Sequence, residues 1–251
     1  MMNEFEMSDL GLLSYFLGIE FEMTRYGMVM HQINYANDLL KRLNMQQSNP
    51  VRTSTTIGLS LKKGTDEEQV DSTHYRRIVG CLRYVQGTVD FGILFPKEEV
   101  AVEPKLVGYS GSDWCGDKQD RKSTVGYIFF YGGAPISWLF AKEPVVALSS
   151  CEAEYIAASE TACQVVWLDA LLGELQEKNT KKVKLLVDNK SAIDLARHLA
   201  SHGRSKHIET RFHFLREQVS NEKLQIEHCR TEIQFADIFT KTLKRERFSG
   251  T

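Results

Sequence analysis

After Pro104 the apolar pattern becomes dense and regular, and the order of elements it spells constrains the fold more than any other feature. Leu106 to Ser110 reads as a strand and Asp113 to Lys122 as a charged loop. Ser123 to Tyr131 reads as a strand rich in β-branched and aromatic residues, ended by Gly132-Gly133. Ile136 to Phe140 gives a third strand, so the three form an antiparallel meander. Ser149 and Glu152 fit the S-x-x-E capping box of a long helix, whose apolar stripe is Ala158, Ala162, Val165, Leu168 and Leu172. Val183 to Val187 is then a strand and Asn189 to Leu199 a helix. Arg211 to Ser220 is a further helix, Leu224 to His228 a fifth strand, and Glu232 to Thr242 a closing helix. The order βββαβα, a helical insert, then βα describes a mixed α/β (α+β) domain built on five strands.

The first hundred residues carry a sparser pattern. Leu17, Ile19, Phe21 and Met23 alternate with Gly18, Glu20 and Glu22, the period of a half-buried strand. Arg25-Tyr26-Gly27 supplies a turn, Met28 to His31 the return strand, and Ile33 to Leu43 a helix with Tyr35, Leu39, Leu40 and Leu43 at helical spacing. Residues 46–73 read as a long linker, Tyr75 to Gln86 as a short helix, Phe91 to Phe95 as a strand, and 96–104 as a second linker. No apolar run approaches the roughly 18–20 residues of a membrane span. The acidic start MMNEFEMSDL is unlike a signal peptide. Five scattered cysteines without a CxxC pair argue against zinc and a disulfide framework, and for a reducing intracellular setting, cytoplasmic or nuclear. The net charge of −2 gives no argument for nucleic acid, but residues 201–251 hold ten Lys and Arg against seven Asp and Glu.

Four carboxylates stand out. Glu154 lies near the start of the long helix, on its core-facing side; Asp188 ends the apolar strand Leu185-Leu186-Val187. Asp237 sits between Phe235-Ala236 and Ile238-Phe239, and Asp113 follows the first strand of the meander. A carboxylate in apolar surroundings costs free energy unless paired or bound to metal. Several carboxylates without a Cys/His set suit Mg²⁺, and the chemistry of such a site is two-metal phosphodiester hydrolysis. Each also has a plainer reading. Asp188-Asn189 can cap the following helix, Glu154 can answer a helix dipole, Asp237 can pair with Lys241 at i+4, and Asp113 can be an ordinary loop acid.

The stretch GYSGSDWCGDKQDRKSTVGYIFFYGGAPISW (108–138) resembles the RNase H domain of copia-type LTR-retrotransposon Pol polyproteins. So do VVALSSCEAEYIAASETACQVVWL (145–168), LLVDNKSAIDLA (185–196), HGRSKHIETRFHFLRE (202–217) and FADIFTK (235–241). MSDLGLLSYFLGIEFE (7–22) is similar to the tail of the same polyprotein's reverse transcriptase, with a primer-grip-like hairpin followed by the start of the thumb. The resemblance implies three segments: a reverse-transcriptase remnant at 1–100, an RNase H-like domain at 101–245, and a tail at 246–251. It implies a five-stranded mixed sheet, antiparallel in its first three strands. It also implies Mg²⁺- or Mn²⁺-dependent cleavage of the RNA strand of an RNA/DNA hybrid by four carboxylates, three of which transfer to Glu154, Asp188 and Asp237.

The fourth does not transfer. The family pattern Y-S-D-x-D-W is here Tyr109-Ser110-Gly111-Ser112-Asp113-Trp114, so the first acid position is Gly111. Asp113 is a possible substitute on the same strand face, but two residues of strand displace it by about 6.6 Å, while the two metals should sit about 3.5–4 Å apart. The expectation is therefore a weak or inactive nuclease. The alternatives are a non-catalytic nucleic-acid-binding module, or a decayed Pol remnant whose first hundred residues no longer fold alone. No Y-x-D-D polymerase motif is present, the segment between Gly80 and Leu82 is shortened, Arg230 replaces a usual Pro, and Leu139-Phe140 replace small polar residues. Phosphate contacts are expected from Lys118, Arg121 and Lys122, from Arg204, Lys206 and His207, and from the basic tail Lys241, Lys244, Arg245 and Arg247. For most of these a solvated surface charge is the competing reading.

Overall fold

The computed structural model describes residues 11–50, 85, 87–97, 105–175, 182–197, 213–241 and 243. The expected helix at 75–86 apart from Val85, which is helical, most of both linkers, and Arg204, Lys206, His207, Lys244, Arg245 and Arg247 lie outside these residues. The chain divides into two compact units. The first carries an antiparallel four-stranded sheet of β1 (Tyr15–Phe16), β2 (Ile19–Thr24), β3 (Gly27–His31) and β4 (Gly92–Pro96), in that order. The Glu20 carboxylate on β2 accepts both the backbone N–H (2.9 Å) and the side-chain amide (2.7 Å) of Asn34, which fixes the start of α1 (Ile33–Arg42). On that helix Leu40 is buried, whereas Tyr35, at the same helical spacing, is exposed.

The second unit is the five-stranded mixed sheet that the RNase H resemblance implies. Its strands are β5 (Leu106–Ser112), β6 (Thr124–Tyr131), β7 (Ala134–Lys142), β8 (Val183–Val187) and β9 (Leu224–His228), in the spatial order β7-β6-β5-β8-β9. β5, β6 and β7 run antiparallel, while β8 joins β5, and β9 joins β8, in parallel. The crossovers are helical: α2 (Ser150–Glu174) between β7 and β8, and α3 (Lys190–Arg197) and α4 (His213–Ser220) between β8 and β9. The Ser149 hydroxyl caps α2 by accepting the Glu152 N–H at 3.2 Å. Ala153, Ala157, Ala158 and Ala162 then let the helix lie close on the sheet, where Tyr155 and Ile156 are buried. The stripe expected on this helix is buried along its whole length.

The closing segment departs from the continuous helix expected over 232–242. It forms a 3₁₀ turn at Thr231–Ile233 and a single helical turn, α5 (Asp237–Thr240). Gln234 separates them. Its backbone is extended, and its buried side chain takes the roles a helix would give to main-chain groups. Nε2 donates to the Ser110 carbonyl at 3.0 Å and faces the Cys229 sulfur at 3.5 Å, while Oε1 accepts the Ala236 N–H at 3.2 Å. This amide ties the segment to the central strand, and α5 then rests on β5 and β6 at two glycines.

At Gly126 a Cβ would fall 2.8 Å from Thr240 Cγ2 and 2.9 Å from Phe239 Cβ; at Gly111 the nearest atom would be 3.6 Å away. Gly126→Ala is therefore expected to lose about 1–3 kcal/mol in urea denaturation, because α5 must lift from the sheet. Gly111→Ala, which meets only ordinary contacts, is expected to lose much less. Equal losses at the two positions would contradict this packing.

Candidate functional site

β5 and β8 pair in parallel as far as Tyr109 and Leu186. Beyond these residues their carboxyl ends open, the place where open α/β sheets gather ligands. Glu154, Asp188 and Asp237 come together there. Glu154 is 6% exposed, and its Oε1 accepts the Ser112 N–H at 3.1 Å. Asp188 follows β8, and its Oδ2 accepts the Thr231 hydroxyl at 3.1 Å. The cap of α3 is supplied by Asn189, whose Oδ1 accepts the Ala192 N–H at 3.1 Å, so capping does not account for Asp188. Asp237, 1% exposed, opens α5, and its Oδ1 lies 2.6 Å from Lys241 Nζ.

The electrostatics follow from this burial. Loss of solvent pushes the Glu154 carboxyl up to about 8; the Asp188 charge adds to the rise, and the Ser112 N–H and Lys241 partly oppose it. Burial, together with the charges of Asp188, Asp237 and Glu154, raises the nearby Cys229 thiol to about 11. The charges acting on Glu154 are thus those of the residues gathered with it.

Gly111 occupies the remaining corner. A Cβ placed there would lie 3.6 Å from Ala236 Cβ and 3.8 Å from Asp237 Oδ1, which is ordinary contact. The position faces Asp237 and has room for a side chain. Asp113 is held elsewhere. Its N–H donates to the Thr124 carbonyl at 3.2 Å and its Oδ1 accepts the Thr124 N–H at 2.5 Å, closing the neck of the β5–β6 loop. Its charge acts on Glu143.

A two-metal carboxylate site does not fit these residues as they stand. The position where the resemblance implies a first acid is Gly111, Asp237 is bonded to a lysine, and Glu154 and Asp188 each accept a protein hydrogen bond. Among the described residues no group of three or more His, Cys, Asp or Glu side chains is arranged to hold a metal ion.

Lys118, Arg121 and Lys122 lie in the β5–β6 loop. The two acids beside them, Asp117 and Asp120, are taken by Lys142 at 2.5 and 2.7 Å, while the three cations enter no ion pair among the described residues. Tyr127 and Phe129 are buried in the core, and Phe130 packs against Tyr109 and Phe235. Trp114 stays partly exposed, with its indole N–H donating to the Ala147 carbonyl at 3.2 Å.

Sequence reasoning missed Gln234 and Glu143. Glu143 is 1% exposed just after β7; its Oε1 accepts the Ser112 hydroxyl at 3.3 Å, and its Oε2 has no hydrogen-bond partner among the described residues. Lys142-Glu143-Pro144 reads in sequence as a solvated strand end, and nothing there signals burial. Burial pushes this carboxyl from its ordinary 4.5 to about 8, helped by Glu160, Asp113 and Glu152 and opposed by the Ser112 bond. A raised folded-state value means that the folded chain holds the proton more tightly than the unfolded one. The contribution of Glu143 to stability is therefore fully present below about pH 4.5 and is lost as pH rises to about 8.

Glu143→Gln, which keeps the acceptor and removes the charge, is expected to gain on the order of 2 kcal/mol at pH 8.5 and almost nothing at pH 4.5. Urea denaturation across this range measures it; an unchanged pH slope would assign the dependence to Glu154 alone.

No family model matches the chain. It is 35% identical to the retrovirus-related Pol polyprotein from transposon RE1 of Arabidopsis thaliana, over 98% of this chain and 19% of that protein. It is 32% identical to the corresponding polyprotein from transposon TNT 1-94 of Nicotiana tabacum, over 97% of this chain and 21% of that protein. Among solved structures, an RNase H1 isolated from compost by a metagenomic approach is 16% identical, covering 58% of this chain and 96% of that one with a TM-score of 0.40. The foamy viral protease-reverse transcriptase in complex with an RNA/DNA hybrid is 15% identical, covering 86% of this chain and 29% of that one with a TM-score of 0.39. The chain spans about one-fifth of the length of the curated polyproteins it matches. With one-third identity along nearly all of its own length, it belongs to the copia-type family of transposon Pol polyproteins.

Proposed function

We propose that the second unit is an RNase H-like module that engages RNA/DNA hybrids but has lost the cleavage of the RNA strand. Gly111 carries this reading. It sits at the carboxyl end of the central strand, where a Cβ would lie 3.8 Å from Asp237 Oδ1. The corner where the family's first acid is expected is thus empty of carboxylate, although the backbone is in place to present one. Mg²⁺-dependent hydrolysis is the family reaction that the resemblance implies. With one donor missing and Asp237 bonded to Lys241, the residues do not support it here. Losing several kcal/mol of stabilisation at the reacting phosphate slows a reaction by several factors of ten.

Binding has different requirements. Phosphates need local cations rather than net charge, and Lys118, Arg121 and Lys122 form such a group on one loop. Lys142 supports them by neutralising Asp117 and Asp120 beside them. An RNA strand would be sensed through its 2′-hydroxyls, largely independent of sequence. In the same reading the first unit, whose described residues include a hairpin extended to four strands and the helix α1, is the tail of the reverse transcriptase.

The test uses a labelled RNA/DNA hybrid with Mg²⁺ or Mn²⁺. The unmodified chain is expected to bind without cutting, with affinity falling as salt rises. Gly111→Asp is expected to cut at least about 100-fold faster than the unmodified chain, and Gly111→Asp with Asp188→Asn to be silent again. Cleavage by the unmodified chain would overturn the proposal and point to Asp113. Failure of every protein to bind the hybrid would leave a decayed remnant.

A further inference from the structure

We infer that Lys241 takes the charge-compensating place at this site that a divalent cation would otherwise hold, so that the carboxylates stay packed in the fold without metal. The inference rests on the reading above, that Glu154, Asp188 and Asp237 are what remains of a hydrolytic site. Asp237 is 1% exposed, between Phe235-Ala236 and Ile238-Phe239. A carboxylate that deep must be paired, and removing its partner leaves a buried charge uncompensated.

Lys241 is joined to Asp237 twice. Its Nζ lies 2.6 Å from Oδ1, and its backbone N–H donates to the Asp237 carbonyl at 2.9 Å, closing the single turn of α5. The lysine side chain is 36% exposed, so the ammonium stands at the mouth of the site while the carboxylate lies inside. The same Oδ1 that Lys241 holds lies 3.8 Å from where a Cβ on Gly111 would sit. The pair differs from a surface i, i+4 bridge, because one end is fully desolvated and the chain turn locks its geometry.

Thermal unfolding of the full chain, with and without millimolar Mn²⁺, tests this. The unmodified chain should melt at the same temperature with and without Mn²⁺. Lys241→Gln should melt lower by about 5 °C or more, with Mn²⁺ restoring part of the loss. Asp237→Asn with Lys241→Gln should recover most of the stability and ignore Mn²⁺. Three results would overturn the inference: strong stabilisation of the unmodified chain by Mn²⁺, a Lys241→Gln variant that melts like the unmodified chain or ignores Mn²⁺, or a double variant as unstable as the single one. Hybrid binding is a separate readout. Its loss in every protein, with this melting pattern intact, would remove the functional reading and leave the role of Lys241 standing.

Discussion

Everything in the second unit hangs on β5. It pairs antiparallel with β6 on one side and parallel with β8 on the other, so it joins the meander to the crossover half of the sheet. A strand covered on both faces normally reads as a run of large apolar residues. β5 instead ends in Ser110-Gly111-Ser112, all buried. Small side chains are required because three neighbours press on this end. Thr161 of α2 brings its hydroxyl to 2.9 Å from Ser110 Oγ, Gln234 reaches the Ser110 carbonyl, and Glu154 and Glu143 converge on the N–H and the hydroxyl of Ser112. The polar end of a central strand is thus satisfied by side chains from α2, β7 and the closing segment, which fixes those elements against one another.

That arrangement explains which parts of the fold the sequence made legible. The meander, α2 with its capping serine, β8 and β9 follow from periodicity alone, because each buries one face against a single partner. β5 and β7 run two residues beyond their expected ends; Gly111-Ser112 and Ala141-Lys142 lack the apolar alternation that marks a strand, and ladder pairing with β6 carries them on. Residues 232–242 read as one helix in sequence, yet they form a 3₁₀ turn and a single helical turn. A single glutamine side chain, serving atoms as distant in sequence as Ser110, breaks the helix instead. Tertiary hydrogen bonding outweighed local propensity there.

The site was legible to a different degree. Glu154, Asp188 and Asp237 stand out because each interrupts apolar sequence, and the structure gathers all three. Glu143 stayed hidden because its burial comes from Ser112 and Ser123, on a strand and a loop about 20 to 30 residues earlier, and not from its own neighbours. Asp113 illustrates the reverse. Its spacing puts it on the same strand face as Gly111, but the hairpin neck claims its carboxylate through Thr124. Strand period fixes the side a residue faces and says nothing of which hydrogen-bond donor reaches it first.

The carboxylates at this strand end also show how chemistry and folding separate. A buried acid can be tolerated in three ways: by keeping its proton, by pairing with a cation, or by remaining near water. Glu154 holds its proton up to about pH 8, Asp237 meets Lys241, and the half-buried Asp188 accepts a hydroxyl. Each solution is local and uses only the chain's own groups. On the inference drawn above, the sheet and its helices need no ion to hold the acids together. An enzyme whose acids were held together only by metal would come apart when one acid was lost. Here the acids are compensated one at a time, so the fold tolerates Gly111 at the centre of its own site.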